Sequence, residues 1–70
     1  MDAKTEQEHR KLMAAAKAVD LQAHDLDEVV SELYADRASE VNNLGVEYQI
    51  LELVKYGWGD QAQAIIEGVT

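Results

Sequence analysis

A single apolar repeat with helical spacing constrains this chain more than any other feature of its sequence. At about 100° per residue, the apolar side chains between Leu26 and Leu51 fall in one arc of a helical wheel. The members of this repeat are Leu26, Val29, Val30, Leu33, Tyr34, Ala38, Val41, Leu44, Tyr48 and Leu51. The sequence contains no proline, which would interrupt a helix. The repeat therefore predicts one long helix over about residues 26–56.

Glycines mark the two places where this long helix can stop. Asn42–Gly45 is one of them, because glycine is favoured just past a helix C-terminus. A stop usually resets the phase of the repeat, and here the phase is kept, so we expect Gly45 to lie inside the helix at a cost of about 1 kcal/mol relative to alanine. A break near Gly45 is the alternative. At the far end, Gly57 is expected to take the left-handed conformation, which lets Trp58 fold back onto the last turn.

A shorter helix is predicted on each side of the long one. The first covers about residues 6–19 and is opened by Thr5 in a capping-box pattern. The last covers about residues 61–67 and is opened by Asp60 as its N-cap. The predicted fold is therefore all-α, a single small domain over residues 1–70 with a long central helix between two shorter ones.

The length of the central helix implies a second chain. About 31 residues at 1.5 Å each span about 46 Å, whereas a compact chain of this size is under about 30 Å across. Past Gly45 the helix also carries a second apolar face, which consists of Val46, Ile50, Leu53 and Val54. The third helix can cover only one of the two faces, and the chain has no cysteine with which to form a disulfide. We therefore expect an antiparallel homodimeric helical bundle.

Two charged residues suggest how such a dimer is aligned. Arg37 and Glu52 both fall inside the apolar arc, where a charge is costly unless it is paired. Pairing them between two antiparallel chains sets Leu44 opposite Gly45 at the two-fold axis. The predicted self-association surface is Arg37, Ala38, Val41, Leu44, Gly45, Tyr48, Leu51 and Glu52. The alternative is that the Arg37 stem lies along the surface and Glu52 sits at the edge of the arc.

Catalytic and metal-binding motifs are weak in this sequence. Without cysteine there is no thiol nucleophile and no thiolate metal site. Neither a nucleophile elbow nor a phosphate-binding glycine motif is present. Glu6 and His9 have the spacing found in di-iron carboxylate bundles, but such a site needs two pairs of this kind and two further glutamates. We therefore predict that the protein is not an enzyme and binds neither a cofactor nor a metal.

The charge of the chain limits its partners. The formal net charge is −8 at pH 7, and Arg37 and Lys55 are the only bases in residues 20–70. This balance argues against direct binding to nucleic acid or to an anionic membrane surface. No run of 18 apolar residues and no apolar leader segment occurs. The expected location is the cytoplasm.

Two surfaces are candidates for binding a partner. One is an acidic row along the central helix, formed by Glu28, Glu32, Asp36, Glu40 and Glu47. The other is the corner at Tyr56 and Trp58, since aromatic side chains often dominate binding energy. The sequence therefore predicts a small acidic adaptor or regulator that binds a protein partner, one with basic groups in particular, and catalyses no reaction.

The acidic row leaves an alternative function open. Steps of four residues place carboxylates about 6 Å apart along a helix, a spacing comparable to that of DNA phosphates. The alternative is a phage-type inhibitor that mimics nucleic acid and blocks a DNA- or RNA-binding protein. The plainer interpretation is a solvated helix face that keeps the protein soluble. A mimic would lose binding as salt rises, whereas an adaptor would depend on Tyr56 or Trp58.

Overall fold

The secondary structure is entirely helical over the residues that the structure describes. The computed structural model describes residues 2–69, in which helices and turns occur but no strand, so the all-α prediction is confirmed. The α-helices are α1 (Ala3–Ala18), α2 (Asp27–Tyr34), α3 (Ala38–Asn42), α4 (Val46–Lys55) and α5 (Gly59–Val69). Short 3₁₀ turns at Ala23–Leu26 and Ala35–Arg37 precede α2 and α3.

The outer helices begin earlier than the sequence predicts. Asp2 caps α1, since its Oδ1 accepts a hydrogen bond of 2.7 Å from the backbone N–H of Thr5. Thr5 therefore lies in the first turn and is not the cap. A carboxylate such as that of Asp2 is a favoured cap, and it also suits the positive end of the helix dipole. At the other end, α5 begins at Gly59, so Asp60 is a first-turn residue and not the N-cap.

The predicted long central helix is wrong, because the chain breaks twice between residues 26 and 56. The first break is at Ala35, whose φ of 49° and ψ of −115° lie outside any helical region. The second is at Gly45, where φ is 93° and ψ is 164°. That conformation is open essentially to glycine alone, so the alternative break near Gly45 is what the structure contains. Past Gly45 the buried face also changes: Ile50 and Leu53 enter the core, whereas Leu44 and Tyr48, which continue the phase of the repeat, are exposed.

The end of α4 is as predicted. Gly57 has a φ of 82°. The backbone N–H of Trp58 donates to the carbonyl of Leu53 at 2.7 Å, and that of Gly57 donates to the carbonyl of Val54 at 3.1 Å. This pair of hydrogen bonds is the Schellman motif, which satisfies the last carbonyls of a helix and turns the chain back. Trp58 is thereby half-buried against the core.

One core is shared by all five helices. Its buried apolar residues are Leu12, Ala16, Leu21, Leu26, Val29, Val30, Val41, Ile50, Leu53, Val54, Ala62 and Ile66. α4 is packed by α1 and by α5, so Ile50 and Leu53 are fully buried. One face of this segment is therefore covered within a single chain, whereas on the other face Tyr48 is exposed and Leu51 is only partly buried. The Cα radius of gyration is 11.0 Å. The homodimer itself stays a prediction.

A buried glutamine joins α3 to α4 across the break at Gly45. Gln49 is 0% exposed. Its Nε2 donates to the main-chain carbonyl of Asn42 at 3.2 Å, and its backbone N–H donates to the carbonyl of Gly45 at 3.1 Å. Asn42 ends α3, where carbonyls lack partners within the helix. The side chain of Gln49 thus gives the Asn42 carbonyl the donor that a continuous helix would have supplied from its own backbone.

Candidate functional site

The three tyrosines of the chain lie around one carboxylate. We call Tyr34, Tyr48 and Tyr56 the aromatic patch. Tyr34 ends α2 and meets Tyr56 edge to face, with ring centroids 6.3 Å apart and an interplanar angle of 90°. Tyr48 is 41% exposed and Tyr56 is 60% exposed. Aromatic pairs in this geometry contribute about 0.5–1.5 kcal/mol beyond their buried area, so the Tyr34–Tyr56 pair has a fixed geometry as well as an exposed surface.

Glu52 forms the base of the aromatic patch. It is 8% exposed, and both of its carboxylate oxygens are engaged. The Tyr34 hydroxyl donates to Oε1 at 2.9 Å, and Lys55 Nζ lies 3.1 Å from Oε2. A buried carboxylate is tolerated when it is paired and hydrogen-bonded in this way. The predicted partner, Arg37 of a second chain, is therefore not needed to balance Glu52.

The site arises from a simple spacing on α4. Tyr48, Glu52 and Tyr56 are four residues apart, which places them in a row along one face of the helix. Lys55 follows Glu52 by three residues and reaches back to it. Tyr34 is added by the fold, since the break at Ala35 brings the end of α2 onto this row. Tyr48, Tyr56 and Glu52 were predicted from the sequence as candidate binding residues, but Tyr34 and Lys55 were not. The four-residue spacing is the signal that places Tyr48, Glu52 and Tyr56 in one group.

Two pKa shifts follow from this arrangement. Burial raises the pKa of Tyr34 well above its usual range, and the hydrogen bond to Glu52 and the nearby Glu52, Tyr56 and Tyr48 groups raise it further. The hydrogen bond and ion pair with Glu52 raise the pKa of Lys55. Both pKa values move further from neutral pH, whereas the pKa of a catalytic acid or base usually lies close to the working pH. The cluster therefore holds shape and charge at neutral pH: Tyr34 keeps its proton and Lys55 its positive charge.

The predicted self-association residues do not form one apolar face. Arg37 is not buried: its side chain is 71% exposed, and its Nε lies 3.6 Å from Glu40 Oε2. Val41 is buried in the core of its own chain. Leu44 and Tyr48 are exposed, and Ala38, Gly45 and Leu51 are partly buried. The register that sets Leu44 opposite Gly45 requires a continuous helix, so the break at Gly45 makes it wrong.

The predicted acidic row is also divided. Glu28, Glu32, Asp36, Glu40 and Glu47 are all exposed, but they are spread over α2, a 3₁₀ turn, α3 and α4. The regular spacing of a straight helix is therefore absent. Glu40 is paired with Arg37, which removes part of the uncompensated charge on which the comparison with DNA depends.

The remaining candidate residues are held in other contacts. Glu6 forms an ion pair with Arg10, and His9 Nε2 lies 3.1 Å from the carbonyl oxygen of Glu47, to which its ring N–H donates. Over residues 2–69, no three histidine or acidic side chains come together as a metal site would need. Trp58 is half-buried, so at the Tyr56–Trp58 corner it is Tyr56 that presents the larger exposed surface.

Comparisons with known proteins add no assignment. No protein-family model matches this chain, and neither a curated protein nor a solved structure is similar enough to it to count as a match. Among the described helices, none combines the length and the apolar character that crossing a membrane requires.

Proposed function

We propose that this protein is a non-catalytic interaction module that binds another protein through the aromatic patch. The observation that supports this most is the exposure of Tyr48 and Tyr56, at 41% and 60%, on a base that is held by hydrogen bonds. Tyrosine is enriched among the residues that dominate binding energy, because it offers a large apolar ring with a polar tip.

The fixed geometry of the patch favours binding. Tyr56 is held against Tyr34, and Tyr34 is held by Glu52. Ordering a flexible side chain at an interface costs about 0.5–1.5 kcal/mol. Because these contacts exist before a partner arrives, much of that cost is met during folding. More of the contact energy with the exposed rings then appears as binding free energy.

The test compares variants of the whole chain as bait in affinity capture, followed by mass spectrometry. Tyr48→Ala and Tyr56→Ala remove exposed aromatic rings without touching the core. Val69→Ala is the matched control, because Val69 is 40% exposed and lies on α5. We expect one or a few proteins to be retained by the wild type and by Val69→Ala, and to be lost from both tyrosine variants. Retention by all four baits would contradict the proposal.

A second copy of the chain is the narrower version of this proposal. Leu44 and Tyr48 belong to the predicted self-association surface and are 56% and 41% exposed. Sedimentation of the purified protein separates the two versions. If the protein sediments as a 7.8 kDa monomer throughout the micromolar range, the patch binds a different protein. A dimer that Tyr48→Ala dissociates assigns it to a second copy.

Nucleic-acid mimicry remains the alternative, supported by the exposure of Glu28, Glu32 and Asp36. Its test is the reversal of two charges, Glu32→Lys with Asp36→Lys, on any captured DNA- or RNA-binding protein. A mimic loses its partner in this variant and also in about 0.5 M salt, where exposed charges are largely screened. Binding through the aromatic patch survives both changes.

A further inference from the structure

A shallow groove lies between α2 and α5 and is not part of the aromatic patch. Its volume is about 220 Å³, and it is lined by Glu28, Val29, Glu32, Gln61, Ala64 and Ile65. Glu32 and Tyr34 are two residues apart on α2, which turns their side chains about 200° from each other around the helix. The groove and the aromatic patch therefore occupy different faces of α2.

The groove combines an apolar floor with an acidic wall. Val29 is part of the core, Ile65 is half-buried against it, and Ala64 is exposed. Ala64 is small, so a partner's backbone can come close to α5 at this point. Glu28 and Glu32 stand one helical turn apart on the α2 side, and both are exposed. This combination offers apolar burial and a place for positive charge along one line.

Within residues 2–69, no basic side chain is paired with the acidic wall. Neither α2 nor α5 contains a lysine or an arginine. Over the described part of the chain, no salt bridge involves Glu28 or Glu32. An apolar occupant would desolvate these carboxylates without compensating them, and an anionic one would be repelled. A lone metal ion would find only two carboxylates, and they belong to no group that could hold it.

We infer that this groove binds a basic amphipathic helix of a partner protein. Such a helix lays its apolar side chains into a groove, and the side chains that make contact are spaced about one helical turn apart. Lysine or arginine at the edge of its apolar stripe would meet Glu28 and Glu32. The inference does not rest on the aromatic patch. If both surfaces bind, the protein joins two partners and acts as an adaptor.

The test uses a synthetic leucine–lysine helix of about 14 residues, or four turns, labelled with fluorescein. Its control is a peptide of the same composition with the order scrambled, so that no apolar stripe forms. Fluorescence anisotropy is measured at about 0.15 M salt, where long-range attraction is screened. We expect the scrambled peptide to bind at least about tenfold more weakly. Equal binding of the two peptides, or no saturable binding, overturns the inference.

Matched charge variants place the binding site. Glu28→Gln with Glu32→Gln removes two charges from the groove, and Glu40→Gln with Glu47→Gln removes the same number elsewhere. Losing two exposed ion pairs weakens binding by about tenfold, so we expect this loss in the first variant and a loss under about twofold in the second. Equal losses mean unspecific attraction to an acidic chain and overturn the inference.

Blocking the floor provides an independent measurement. Ala64→Trp fills the groove, and we expect it to weaken peptide binding by more than about tenfold, since the apolar contact is lost. Gln61→Trp obstructs the same groove from an exposed position and replaces it if Ala64→Trp lowers helicity. Tyr48→Ala leaves peptide binding unchanged, which separates this site from the aromatic patch. Binding that survives both tryptophan variants overturns the inference.

Discussion

The hydroxyl of Tyr34 donates a hydrogen bond of 2.9 Å to Oε1 of Glu52, a residue 18 positions further along the chain. This bond fastens the end of α2 to the middle of α4, across both breaks in the chain. It also satisfies a carboxylate that is 8% exposed. The bond also positions Tyr34, against which the ring of Tyr56 packs.

Removing that hydroxyl should destabilise the protein. Tyr34→Phe keeps the ring but leaves a buried carboxylate oxygen without its donor, which costs about 1–3 kcal/mol. We expect the free energy of unfolding, measured by urea denaturation, to fall by an amount in that range. Tyr48→Phe is the control, because Tyr48 is exposed, and it should change stability by less than about 0.5 kcal/mol. Equal effects of the two variants would show that the Tyr34–Glu52 bond is unimportant.

Stability should also decline at alkaline pH. Tyr34 has a pKa raised above its ordinary value of 10.0, so above about pH 10 the unfolded chain releases a proton that the folded chain retains. The stabilisation from this group is complete below that pH and is lost as pH rises toward the folded pKa. Urea denaturation between about pH 8 and pH 11 should show a steeper decline for the wild type than for Tyr34→Phe. If stability declined equally with pH in the wild type and in Tyr34→Phe, the decline would not come from a raised pKa of Tyr34.

The backbone at Ala35 should be strained. Its φ of 49° and ψ of −115° are costly for a residue with a Cβ, by about 1–3 kcal/mol. Ala35→Gly relieves that strain. It also raises the entropy of the unfolded chain, which lowers stability by less than about 1 kcal/mol, so we expect a net gain in thermal stability. Ala38→Gly is the control, since Ala38 is helical with a φ of −56°, and it should lose about 1 kcal/mol. A loss in both variants would mean that Ala35 is not strained.

The sequence predicted many of the residues that face the core but not the path of the chain, and Leu44 and Tyr48 of the predicted arc are exposed. Leu26, Val30 and Val41 were placed in the apolar arc by their spacing, and all three are buried. Gly57 was predicted to end a helix, and it does so in the left-handed conformation. These successes depend on local rules, since periodicity and cap chemistry act over a few residues.

The breaks and the charge pairs could not be predicted because they depend on tertiary packing. Alanine is the best helix former, so nothing in the local sequence at Ala35 indicates a break. Arg37 and Glu52 lie in the same arc and looked like partners, yet Arg37 pairs with Glu40 and Glu52 pairs with Lys55. Once the helix is broken, single-helix geometry no longer determines which charges meet.

The break at Gly45 lets one chain cover its own core and leaves the aromatic patch free. A Cβ added at Gly45 would meet nothing within 4 Å, and the same holds for Gly68. Gly68 lies within α5 and has no positive φ. The two alanine substitutions therefore differ in the backbone conformation that they must adopt, and not in the space available to them.

The most direct measurement is the change in unfolding free energy for Gly45→Ala beside Gly68→Ala, by urea denaturation. At Gly45 the φ of 93° makes alanine unfavourable by about 1–3 kcal/mol, so we predict a loss of that size. At Gly68 alanine favours the helix, so we predict a gain of up to about 1 kcal/mol. A continuous helix through Gly45 would make both variants more stable, and that result would contradict the account.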